Sequence, residues 1–409
     1  MACALGWIAC GGTTDATRPG EAAAQGEPST ATSAAGASPD ARFPVAYDTS
    51  RIVEVARGSL AGGTEPILWA FFRNEAYRCG RTGHHTFLVV TPASIASDPA
   101  ALWVILHGGG AGYYDPDGVY RPDASTPPGS PIPNWESFND EASADFLLDR
   151  AQGYASDNPV VQRRLAPPHR YRLLLPSYCD HDLRAGMGTP YPNNPNWGSD
   201  GDTVDGLAAA MAAVDHAARA LPTTHVFLHG LSAGAVGAHS VSHAFARGGV
   251  MLTGALADSS LVGERLADLF AAGCTSSQLN DPAFDYARLQ EKVGDFTTDP
   301  TLYVEQTVTT ASAVPLFDIT YDLDDVCCGS ARPVAQAAAL GYANNCVFMH
   351  RLLAEATAEL ASPLYQAHVV PARGSTHIVT KDEGPWQDAI EAWIAAALAA
   401  GSESPFPAP

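Results

Sequence analysis

Apolar and polar positions change their pattern twice along the chain. The first forty residues have almost no large apolar side chain after "MACALGWIAC". Such a stretch cannot offset the entropy of ordering, so Gly11 to about Ala41 is expected to be a disordered linker. From Arg51 the pattern turns to short runs rich in β-branched and aromatic residues, "RIVEVA", "ILWAFF" and "TFLVV", separated by Gly, Asn and Thr clusters. These predict the antiparallel opening strands of a sheet. Six near-continuous apolar runs follow: Leu102 to His107, Tyr171 to Pro176, His225 to Gly230, Thr253 to Asp258, Val314 to Thr320 and Ala367 to Ala372. Runs apolar at every position suit parallel strands buried on both faces.

Helical periodicity lies between the runs. In Asp202 to Leu221, Val204, Leu207, Met211, Val214 and Leu221 form one apolar stripe, with Asp205, Asp215 and Arg219 off it. Pro385 opens a last helix lined on one face by Trp386, Ile390, Trp393, Ile394 and Leu398. Alternation of strand and helix predicts an α/β fold, a doubly wound, mostly parallel sheet with helices on both faces. Two stretches break it. Tyr113 to Trp135 and Ala185 to Gly201 are dense in Pro, Gly, Asp and Asn, and are expected to be long loops over the site.

Length and charge narrow the class. With 409 residues and 46% hydrophobic content the chain can bury a large core. A formal net charge of -21 argues against nucleic acid or an anionic membrane as partner, because phosphate binding needs clustered Lys and Arg. No apolar run reaches the roughly 18 residues of a membrane span. The short apolar start ending in Cys10 has the look of a lipoprotein signal, so residues 1–41 are expected to be signal and linker, and 42–409 a single catalytic domain. Secretion or placement at the cell envelope follows, with any membrane anchoring through a lipid on Cys10. Beyond the linker, Cys79, Cys179, Cys274, Cys327, Cys328 and Cys346 are an even number, which in an exported chain favours disulfides. Nothing in the sequence sets an oligomeric state.

The chemistry concentrates at Gly230-Leu231-Ser232-Ala233-Gly234. An apolar strand runs into this pentapeptide and an Ala-rich helix runs out, the context of a nucleophile elbow that exposes a serine Oγ above a sheet. Glycines two positions before and after the serine make room where a Cβ would collide. Upstream, "LWVILHGGGAG" ends a strand in three glycines. Backbone N–H groups of Gly109, Gly110 or Ala111, with Ala233 at the helix start, would hold an oxyanion. Downstream, His377 follows the last apolar run, where a base belongs. The orienting carboxylate belongs after the preceding run, where "PLFDITYDLDD" offers Asp318, Asp322, Asp324 and Asp325; Asp318 falls within the strand, spacing from Pro315 favours Asp324, and the Tyr-Asp pair favours Asp322. Chemistry by Ser, His and Asp needs no cofactor and no metal. His84, His85 and His181 have no third ligand at a recognisable metal spacing, Asp258 is expected to anchor a loop beside the site, and His229 and His239 to be core histidines.

In this order and spacing the chain resembles the pectin acetylesterase and Notum family of α/β-hydrolase carboxylesterases over about Arg78 to Val379. "ILHGGGAG", "PSYCDHD", "GLSAGAVG", "ALADSS" and "TYDLDD" are similar to that family's oxyanion strand, Tyr-Cys-x-x-Asp segment, Ser-Ala-Gly elbow, Ala-Asp strand end and Tyr-Asp acid turn. The resemblance implies an α/β-hydrolase fold, a triad of Ser232, Asp322 and His377, oxyanion donors at Gly110, Ala111 and Ala233, and an O-acyl ester, small or polymeric, as substrate. The chain departs from the family at His107, at Ala111-Gly112 and at Asp325, in the wall beside the oxyanion hole and in the acid turn. A lipase or polyester depolymerase of the same fold, and an exported carbohydrate-binding relative without activity, are the alternatives.

Overall fold

The computed structural model describes residues 43–61, 65–79, 83–109, 112–117, 120–122, 143–178, 181–190, 203–259, 286–293, 307–308, 312–321, 363–371, 377–400 and 406. The expected signal, Cys10 and linker therefore lie outside the described residues. Nine strands form the central sheet: β1 (Ile52–Leu60), β2 (Ile67–Asn74), β3 (His85–Pro92), β4 (Ala100–Leu106), β5 (Arg172–Pro176), β6 (Thr223–Leu231), β7 (Gly254–Asp258), β8 (Leu316–Tyr321) and β9 (Tyr365–Val370). Their order across the sheet is β1-β2-β3-β5-β4-β6-β7-β8-β9. The opening three strands pair antiparallel, β3 meets β5 antiparallel, and every later pair is parallel. An antiparallel opening, a swap of β5 and β4, and then parallel strands in chain order make this an α/β-hydrolase fold. All six apolar runs are strands, each within a few residues of its expected span.

The sheet is covered on both faces, which is why the runs carry no polar alternation. Leu102, Val104 and Leu106 of β4 join one core cluster, while Ala101, Trp103 and Ile105 join the other. The first cluster packs under α3 (Gly206–Ala220), α4 (Ala233–Arg247) and α5 (Tyr286–Val293); the second packs under α1 (Ala144–Asp157), α2 (Pro159–Leu165) and α6 (Trp386–Ala400). Local chemistry starts these helices. Ser143 accepts a hydrogen bond from the Phe146 amide to cap α1, and Asn158 accepts from the Val160 and Val161 amides to cap α2, whose first residue is Pro159. Among the described residues no helix is long and apolar enough to cross a membrane.

Two expectations are corrected, and one helix face is more covered than its stripe shows. The helix expected over Asp202 to Leu221 begins at Gly206, because Thr203–Val204 pairs with Thr189–Pro190 as a small ribbon. Asp215, placed off the apolar stripe, is 5% exposed. Its carboxylate accepts from Arg219 at 2.8 Å, and Tyr47 of the leading segment also bonds to it, so this side of α3 is covered as well. The expected loop from Tyr113 contains a second ribbon, Gly112–Tyr114 paired with Tyr120–Pro122. Of the two expected loops, residues 118–119, 123–135 and 191–201 lie outside the described residues.

Candidate active site

The carboxyl ends of the parallel strands converge on one rim, where ligands of open α/β sheets bind. Ser232 stands there between β6 and α4. Its backbone has φ 55° and ψ -122°, a region nearly closed to residues with a Cβ. Two hydrogen bonds hold it so: its amide donates to the Asp258 carbonyl at 2.9 Å, and its carbonyl accepts from the Ala235 amide at 2.7 Å. The flanking glycines are needed for close approach rather than for their own dihedrals. A Cβ on Gly230 would lie 2.0 Å from the Gly234 carbonyl oxygen, and one on Gly234 would lie 1.8 Å from that of Leu106. The turn is thus pressed onto itself and onto the end of β4.

That contact brings the glycine strand to the serine. A Cβ on Gly108 would meet the Leu231 carbonyl at 2.7 Å and the Ser232 Cβ at 2.8 Å. Gly109 follows, close to Tyr178 and His181. Ala233 is the first residue of α4 and 3% exposed, so its N–H has no intrahelical acceptor and lies at the positive end of the helix. Gly110 and Ala111 lie outside the described residues.

The wall behind Gly109 stores strain. His181, Leu183 and Arg184 have φ of 50°, 59° and 53°. Asp182, 1% exposed, holds the segment by accepting from the amides of Arg184, Gly186 and Gly206 at 2.9 to 3.0 Å. Arg184 donates to the carbonyls of Ser177 and Pro176 and lies 5.0 Å from the centre of the Tyr178 ring. The sequence pattern "PSYCDHD" marked the segment but not Arg184, whose clamp joins residues that only the folded chain brings close.

His377 is partly buried on the segment after β9. Its place is set through Asp258 at the end of β7. Asp258 is fully buried, and its carboxylate accepts from the amides of Val379 at 2.9 Å and Thr380 at 2.8 Å and from the Thr380 hydroxyl at 2.5 Å. The Ser259 hydroxyl lies between this carboxylate and the carbonyl of His377, in contact with both. One residue therefore binds the Ser232 amide with its main chain and the His377 segment with its side chain. Burial raises the Asp258 pKa, and the donors around the carboxylate oppose that shift. Asp258 anchors the loop, as expected from sequence.

Thr380, Asn158 and His229 complete the anchor. The Thr380 hydroxyl gives its proton to Asp258, so it is an acceptor toward Asn158 Nδ2 at 2.8 Å and His229 Nε2 at 3.3 Å. His229 Nδ1 in turn accepts from the Trp103 indole at 3.3 Å. This chain of donors fixes His229 as the neutral Nε2–H tautomer. Burial pushes its pKa down to about 3. The roles of Thr380 and Asn158 were not read from sequence, since single polar residues carry no periodic signal.

Of the acid candidates, Asp318 is removed. It is fully buried within β8, where it bonds His239 Nε2 at 2.9 Å and accepts from the Tyr365 hydroxyl at 2.6 Å. His239 is thereby a core histidine of α4, and His229 one of β6. Asp322, Asp324 and Asp325 lie outside the described residues; β8 ends at Tyr321, one residue before Asp322. Among the described residues, no group of three His, Cys, Asp or Glu side chains would hold a metal ion.

No family model and no curated protein sequence matches the chain. Solved structures do. An S-formylglutathione hydrolase from Agrobacterium tumefaciens is similar at 11% identity and TM-score 0.43, covering 84% of this chain and 99% of its own. A glucuronoyl esterase from Solibacter usitatus is similar at 14% identity and TM-score 0.43, covering 85% of each chain. An acetyl xylan esterase from Thermoanaerobacterium is similar at 8% identity and TM-score 0.40, covering 85% of this chain and 88% of its own. Likenesses this loose carry no argument about chemistry; the fold rests on its own strand order and turn.

Two outcomes follow from the anchor. Asp258→Asn turns an amide –NH2 toward the Val379 or Thr380 N–H and is expected to cost about 1–3 kcal/mol, measured by urea unfolding; an unchanged midpoint contradicts the role. His229 has a folded pKa below its unfolded value, so its contribution to stability is present above about pH 6.5 and is lost as pH falls toward 3. Between pH 6.5 and 5, His229→Gln is expected to flatten the fall of unfolding free energy by up to about 1.4 kcal/mol per pH unit, and parallel curves would contradict this.

Proposed function

We propose that the chain is a serine carboxylic-ester hydrolase that removes acyl groups through an acyl-enzyme. The observation that supports this most is Ser232 itself, held at φ 55° on a strand-to-helix turn whose anchoring residue, Asp258, also fixes the segment bearing His377. Ser232 Oγ attacks the ester carbonyl while His377 takes its proton, and Asp322, or Asp324 beside it, orients the imidazole. Amides of Gly109 or Gly110, Ala111 and Ala233 hold the oxyanion. His377 protonates the leaving alcohol, and water repeats the cycle on the acyl-serine.

The substrate class is proposed from the motif order quoted above: an O-acylated carbohydrate or a related polymeric ester, as in pectin acetylesterase and Notum relatives. Secretion or envelope location, with a lipid on Cys10, is part of the same reading. Cys79, 1% exposed and disulfide-bonded, supports export.

A fluorophosphonate probe is expected to label the wild-type chain on Ser232. Ser232→Ala should lose both labelling and about 10⁴-fold or more of the hydrolysis of a short-acyl aryl ester, while activity within tenfold of wild type would sink the proposal. Exchanging Asp322 and Asp324 separately for Asn separates the acids. The triad member should lose most of kcat and its neighbour little, and equal small losses would remove both.

A further inference from the structure

The turn that follows His377 is gripped at both ends. Val379–Lys381 forms one 3-10 turn, closed by the Asp382 amide, which donates to the Val379 carbonyl at 3.0 Å. Asp258 holds the start of this turn through the Val379 and Thr380 amides. Its end is held by Tyr321, the last residue of β8, whose hydroxyl donates to the Asp382 carboxylate. The two grips come from neighbouring strands in register. Asp258 of β7 pairs with Ile319 of β8, and the Ser259 amide donates to the Ile319 carbonyl at 2.8 Å.

Strand alternation brings Tyr321 to the turn. Phe317, Ile319 and Tyr321 share one face of β8 and pack in the core cluster that includes Val379 and Trp386. Tyr321 is fully buried, and its ring meets that of Trp386 edge to face, 6.3 Å between centres. Trp386 is pressed against Gly384 in turn, where a Cβ would come within 2.1 Å of the indole ring. Asp382 is tied to the same helix, its carbonyl accepting from Gln387 Nε2 at 3.4 Å. Donor and acceptor are thus both set by α6.

A tyrosine that only filled the core would need its ring and any acceptor for its hydroxyl. Here the acceptor lies five residues after the proposed base, and Tyr321 itself stands one residue before the proposed acid Asp322. A turn held at one point keeps a rotation about that point, and a second point removes it. We propose that Tyr321 is a positioning residue: by holding Asp382 it fixes the orientation of the His377 segment against the strand end from which the acid comes. This rests on the reading of the chain as a serine hydrolase. Misplacement of a reacting group by about 1 Å costs on the order of 10²-fold in rate, so a partial loosening is visible in kcat.

Fluorophosphonate labelling of Ser232, run to completion, counts the competent sites, and kcat for a short-acyl aryl ester is expressed per labelled serine. Tyr321→Phe, which keeps the ring, is expected to lose about tenfold in kcat per site with KM within about twofold of wild type. Asp382→Ala, at a partly exposed position, should lose as much, and the double variant no more than either alone, because all three remove one bond. Asp382→Asn keeps a side-chain oxygen for the Tyr321 hydroxyl and should retain most of kcat. Thr253→Val is the control, since it strips the Val226 amide of its acceptor at the amino ends of β6 and β7, away from the rim. It should lower the unfolding midpoint and leave kcat per site unchanged. If Tyr321→Phe does not fold, the two exchanges at Asp382 decide. A kcat per site within about twofold of wild type in Tyr321→Phe or Asp382→Ala, losses that multiply in the double variant, or equal losses in Asp382→Ala and Asp382→Asn overturn the proposal and leave the hydrolase reading intact. A chain that does not label at Ser232 overturns that reading, and this proposal with it.

Discussion

The site depends on a single buried carboxylate. Asp258 has no contact with solvent, yet it binds two parts of the chain that are far apart in sequence: the Ser232 amide through its carbonyl, and the Val379 and Thr380 amides and the Thr380 hydroxyl through its side chain. The hydrogen bonds to this carboxylate oppose, without cancelling, the desolvation that raises its pKa. Charge here is a positioning device. The strain at Ser232 and the placement of His377 are held by one rigid strand end rather than by two loops.

Close approach of backbone is the second constraint. The elbow needs β4, β6 and α4 within van der Waals contact, and Gly108, Gly230 and Gly234 are the places where any Cβ would separate them. This contact sets the serine beside the glycine strand that would supply oxyanion donors. It also explains why the serine tolerates φ 55°: relaxing it would break the hydrogen bond from its N–H to the Asp258 carbonyl and open the contact of Gly234 with Leu106.

Much of this was legible in the sequence, for physical reasons. Fully buried parallel strands leave continuous apolar runs, so all six were readable, and the glycine spacing around Ser232 reflects sterics that no other residue satisfies. The two ribbons were not readable, because strands of two or three residues leave no period. The cover over Asp215 comes from Tyr47 in the leading segment, remote in sequence, and the stripe of α3 carries no sign of it. The anchor was half readable. Asp258 stood out at a strand end, but Thr380 and Asn158 are lone polar residues whose partners lie 122 and 222 positions away. Asp318 fell inside a strand on sequence grounds, and its bonds to His239 and Tyr365 give it a core role there.

Native-state hydrogen exchange followed by mass spectrometry addresses the central claim most directly, using peptides that cover Ser232 and the Val379–Thr380 pair. If one carboxylate-bearing residue holds both, these amides open together, with one common free energy and one common dependence on denaturant. Exchange of Val379 and Thr380 through a low-energy local opening, while Ser232 stays protected, would show that nucleophile and base segment are held separately and would contradict the account.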